Sequence, residues 1–167
     1  MGKVLYEFLR GWPGSVTRSK DDVIVSLKNA GYDPIAFGAP VFLNASYGGA
    51  VNFTSGETTA EQFVGFAVRV ADKTPDAYPY GQDAADPAGT WAPGEPVEIL
   101  VRGSVSVPIV SSNAKIGSNV YIRLADKKLT TTAGESGTTL QLPNVTVRGA
   151  RDSRGFCEVT VTKRNLV

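Results

Sequence analysis

The chain of 167 residues contains no histidine and a single cysteine, Cys157. Without histidine it lacks the commonest general base, the commonest metal ligand and the usual partner of a nucleophilic serine or cysteine. One cysteine cannot close a disulfide within the chain, and no Cys/His spacing for zinc exists. Its neighbours, FCEVTVT, read as a strand, so Cys157 is expected to be a buried structural thiol. An excess of charge of one sign is also missing: 17 Lys and Arg stand against 16 Asp and Glu, a formal net charge of +1. Such a balance offers no broad field to nucleic acid or anionic lipid. The pairs Lys127-Lys128 and Lys163-Arg164 are local and read as solvated surface. No apolar run is long enough to span a bilayer. Glu7 and Arg10 break up MGKVLYEFLRGWPG, which therefore does not read as a secretion signal, and intracellular synthesis is the expectation.

Strand–helix alternation is absent too; what is present is a series of short strands. The clearest is VEILVRGSVSVPI, residues 97–109, where Val97, Ile99, Val101, Gly103, Val105, Val107 and Ile109 alternate with Glu98, Leu100, Arg102, Ser104, Ser106 and Pro108. A period of two marks a strand with one buried face. Two conformations fit: a hairpin turned at Arg102-Gly103, or one long strand that bends at Gly103, the latter slightly favoured. At roughly 3.3 Å per residue the single strand would reach about 43 Å, long enough that it must curve. Further alternations occur at Val23, Val25 and Leu27, and at Ile35, Phe37, Ala39, Val41 and Leu43, where Pro40 predicts an edge or a bend. Val64, Phe66, Val68 and Val70 alternate next, then Val120, Ile122 and Leu124, and the end offers TLQL, VTVR and CEVTV. Thr58-Thr59-Ala60-Glu61-Gln62 has capping-box spacing and predicts at most one helical turn. Residues 71–96 are dense in Pro, Gly and Asp and read as a long loop. The fold class is all-β: a barrel-like or sandwich body of short antiparallel strands. Residues 1–22 read as an extended N-terminal arm, since Pro13 and Gly14 disfavour a helix there. Residues 23–167 read as a single β domain.

No constellation argues for catalysis. Asp83 and Asp86 lack the alternating ligands and closing glutamate of a calcium loop. Asp21 and Asp22 are adjacent and diverge in an extended segment, unlike a glycosidase pair. Phosphate-binding loops, dinucleotide fingerprints and nucleophile elbows are missing. Trp12, Trp91, Tyr78 and Tyr80 could make an aromatic platform for a sugar, or equally plug a core or dock a partner. The residues therefore predict a protein that is not an enzyme, with no metal or cofactor. A carbohydrate- or receptor-binding β-module is the alternative reading.

Taken in order, PGSVTRSKDDVIVS, FGAPVFLN, FVGFAVRVADKT, GEPVEILVRGSVSVPI, IGSNVYIRLAD and RGFCEVTVTK cover most of the chain. The ordered set resembles the capsid cement, or head decoration, proteins of tailed bacteriophages. The resemblance implies a non-enzymatic protein on the outer surface of the virion head, made in the host cytoplasm. It implies binding to the major capsid protein after shell expansion, bracing against internal DNA pressure, and a homotrimer, with no nucleic acid or membrane partner. An arm that crosses subunit boundaries needs apolar anchors to offset its ordering entropy. Leu5, Phe8 and Trp12 are the candidate contacts, either with a neighbour or with their own domain. Leu100 and Pro108, which interrupt the polar face of 97–109, are expected to mark where a neighbour covers it.

Overall fold

The computed structural model describes residues 9–165, apart from 45, 47, 53–57 and 71–88. Among these residues helix is confined to one 3-10 turn, Ala60–Gln62. The Thr59 N–H donates to Gln62 Oε1 at 2.7 Å, one half of the capping arrangement that the spacing predicts. The rest is strand and connection: β1 Val16–Lys28, β2 Ile35–Ala36, β3 Pro40–Asn44, β4 Gly49–Asn52, β5 Phe63–Ala67, β6 Thr90–Trp91, β7 Pro96–Pro108, β8 Asn119–Arg123, β9 Leu129–Thr130, β10 Thr139–Gly149 and β11 Phe156–Val161. Nine of them form one antiparallel sheet in the order β4-β3-β5-β7-β11-β10-β8-β9, with β1 also on β7. The sheet curls into a half-barrel. A bridge between Ile109 and Leu129 ties its far end back to the end of β7, and Val110 N–H donates to the Leu129 carbonyl at 2.9 Å.

Residues 97–109 settle the choice between hairpin and long strand. β7 runs 13 residues without a turn, passing through Gly103 at φ 121°. One edge of β7 carries β1 for nearly its whole length. The other edge is divided: β5 pairs at Ile99 and Leu100, and β11 pairs from Gly103 to Pro108. Every odd residue of the stretch is buried, as the alternation predicts, but they do not share one core. Val97, Ile99 and Val101 pack in a smaller cluster with Ile35, Val41, Val64 and Trp91. Val105, Val107 and Ile109 pack in the larger barrel core, where Leu100 joins them from an even position. The physical cause is the irregularity around Gly103. Val23 and Ile24 oppose Arg102 and Leu100, while residues 19–22, between Arg18 opposite Ser104 and Val23 opposite Arg102, have no register partner on β7. Such bulges shift the pleat, so faces exchange sides. A Cβ on Gly103 would overlap Asp22 Oδ1 and lie 3.1 Å from its Cα.

Two sequence expectations change, and one at Pro40 is met. Leu100 is fully buried within its own chain, so it marks no neighbour's footprint. Pro40 takes the edge position expected of it: it opens β3 just after the turn at Phe37 and Gly38 and pairs with Phe66 of β5, while the β4 ladder starts only at Val41. In β5 a register shift opposite Val41 and Phe42 puts Phe63, Phe66 and Val68 in the barrel core and Val64 and Ala67 in the other, so the even positions do not share a face. Cys157 lies in the barrel core, where burial pushes its thiol up to about 11.

Candidate functional site

Of the three candidate contact residues, Leu5 and Phe8 lie outside the described residues, and Trp12 lies within them. The chain around Trp12 is a strap laid on the body. Gly14 N–H donates to the Ser106 carbonyl at 2.8 Å, Ser106 N–H returns a bond to Ser15 at 2.9 Å, and Arg69 N–H donates to Gly14 at 2.9 Å. Gly14 has φ 76°, and a Cβ there would lie 2.8 Å from both Ala67 O and Arg69 N. Only glycine allows this three-way crossing. The polar even face of β7 is therefore not solvent-facing here. Ser104 and Ser106 are buried, and Ser104 Oγ shares a hydrogen bond with Thr160 Oγ1 at 2.7 Å.

The strap is latched by Asp152, in the turn between β10 and β11. Its carboxylate accepts N–H bonds from Arg10 at 3.0 Å, Arg154 at 3.0 Å and Phe156 at 2.9 Å, and one from the Arg154 guanidinium at 3.2 Å. Burial works to raise its pKa, but the donors outweigh it and the net shift is downward. Arg154 also donates to the Gly11 carbonyl at 2.7 Å. Its guanidinium sits 4.9 Å from the Trp12 ring centre and 5.3 Å from that of Phe156. Arg69 approaches Trp12 at 5.9 Å and Phe37 at 5.7 Å. Both are at cation–π range. Trp12, half-buried, is thus clamped between two cations of its own chain.

Further along, Glu158 takes the Thr17 hydroxyl at 2.9 Å and Arg18 Nε at 2.6 Å. Burial would raise its pKa, but Arg18 and Thr17 bring it down. The arm–body boundary expected after residue 22 falls inside β1, which is paired with β7 on both sides of it. Asp22, in the bulge, has its pKa raised, first by burial and also by Asp21, against a hydrogen bond from Ser104 N–H.

Trp91, one of the four residues proposed for an aromatic platform, offers no exposed ring to one. Trp91 is buried, its Nε1 donating to the Val68 carbonyl at 3.2 Å and its ring edge-on to Phe37 at 6.1 Å. Tyr78 and Tyr80, like Asp83 and Asp86, lie outside the described residues. Among the described residues no group of three or more Cys, Asp or Glu is placed to hold a metal ion. Sequence reading missed Asp152, Arg69 and Arg154. RDSRG carries a turn signal, and the Arg154 N–H to Asp152 bond is its local expression. The bond to Arg10, 142 residues away, has no local signal at all.

No curated protein matches the chain. A chain in the solved capsid of Myoviridae phage XM1 has the same fold, with a TM-score of 0.68 at 17% identity, covering 97% of this chain and 96% of that one. The family model of the structural cement protein (E217 gp24/Pam3 gp6) matches residues 3–162, so the chain belongs to the phage structural cement proteins.

Proposed function

We propose that this cement protein binds the outer face of the expanded head, contacts the major capsid protein there as a homotrimer, and braces the shell without catalysing a reaction. The observation that carries the reading is the family match over residues 3–162, nearly the whole chain. The architecture supports it. The body is a curled sheet with two apolar cores, and the N-terminal strap is fixed to it from Arg10 onward, while Leu9 is exposed. Leu5 and Phe8 precede that point and are the proposed contacts with a neighbour, while Trp12 is engaged by its own body.

Purified protein added to expanded heads that lack it should bind saturably. Deleting residues 1–8, which spares the strap and β1, should weaken binding about tenfold or more, since one buried apolar anchor contributes roughly 1.5–3 kcal/mol. Wild-type protein that binds no expanded shell would overturn the capsid reading. A monomeric mass in solution and on the shell would remove the trimer.

A further inference from the structure

Beside the Trp12 clamp runs an open groove of about 430 Å³. Pro13, Phe37, Pro40, Pro108, Val110 and Phe156 form much of its apolar lining, and Lys127, Lys128 and Arg151 stand among its remaining residues. Val110 is 38% exposed despite its apolar side chain. Three of these walls are prolines, which have no N–H to offer, so the groove is poorly suited to strand addition. What it offers is apolar volume for one or two side chains, beside positive charge.

These three cations have no ion-pair partner among the described residues, although Asp126 lies near enough to Lys128 to feel its charge and Arg151 Nε donates to the Ile109 carbonyl at 2.8 Å. Asp126 is the nearest acid in sequence and is paired with Arg123, whose Nε donates to it at 3.1 Å. Arg154, also on the groove, is neutralised by Asp152. Lys127 moreover sits at φ 60°, in the turn between β8 and β9. Glycine or asparagine fills that left-handed position at lower cost, so a lysine there retains local strain.

We propose that this groove receives an extended, acidic segment of the shell protein, one aromatic or long aliphatic side chain entering the apolar floor and flanking carboxylates meeting Lys127, Lys128 and Arg151. The proposal rests on the capsid reading above and names the chemistry of the contact. Charge complementarity selects the occupant, because a neutral or basic segment would leave three cations facing an apolar partner.

The test is binding to expanded heads lacking the protein, with wild type, Lys127→Glu/Lys128→Glu, Val110→Glu, and Ile116→Glu as a control. Ile116 is 71% exposed and does not line the groove. All four substituted positions are on the surface, and matching unfolding temperatures establish that the fold is kept. The groove variants should lose tenfold or more in affinity and the control less than twofold, and wild-type binding should weaken with added salt. Groove variants that bind like wild type overturn the proposal while leaving the capsid reading intact. Variants that change the protein's mass in solution but not its binding to heads assign the groove to a second copy instead. Wild type that fails to bind removes both readings together.

Discussion

Asp152 is the residue on which the strap depends. Its carboxylate is buried, accepts four hydrogen bonds and has a depressed pKa. A group with a lowered folded pKa adds stability above its unfolded pKa, near 3.9, and that contribution is lost as pH falls through the folded value. Asp152→Asn should therefore cost about 1–3 kcal/mol at pH 7, because the amide leaves buried donors unpaired. The gap between variant and wild type should narrow below about pH 4. Unfolding temperatures recorded from pH 7 to pH 3 check this; a gap constant across the range would mean that the charge contributes nothing. Asp152 also marks a limit of sequence reading. Its turn was legible in RDSRG, whereas its hold on Arg10 depends on a crossing that only the folded chain creates.

Strand β7 shows the same limit at the level of an element. Alternation at 97–109 was sufficient to predict β-structure with one buried face, because a period of two records burial directly, but it left a hairpin at Arg102-Gly103 open beside the single long strand. It did not predict that the two halves face different cores. A bulge depends on the partner strand, here the unmatched Ser19 to Asp22 of β1, and a single strand's pattern carries no register. Gly103→Ala should be destabilising by about 1–3 kcal/mol from its backbone conformation alone. That corresponds to roughly 2–4 °C in unfolding temperature per kcal/mol for a chain of this size. Added to this is the overlap with Asp22. Placing the substitution in an Asp22→Ala background should recover part of the loss, a coupling of about 0.5–3 kcal/mol measurable by a double-mutant cycle. Strict additivity would show that the two residues do not meet.

For the molecule as a whole, the all-β class and the single helical turn were readable from short alternations and turn residues. The barrel-or-sandwich choice was not, since it is decided by the Ile109–Leu129 bridge and by which strands share β7. The candidate site was legible only in part. The apolar residues near the N-terminus stood out, yet the cations that clamp Trp12 are scattered between residues 69 and 154. Lys127-Lys128 looked like ordinary surface until the groove placed Phe156 and Val110 beside them.

Because β7 supplies walls to both cores, neither can be dismantled while the other survives. A protein of two apolar clusters would ordinarily be able to melt in two steps; this one has a common beam, and losing it takes both. Heat should produce a single cooperative transition, with calorimetric and van't Hoff enthalpies in agreement. Two resolved transitions would show that the halves are independent. For a brace, the corollary is one of failure mode. Partial softening under load is suppressed, and the molecule either holds its full shape or gives way at once.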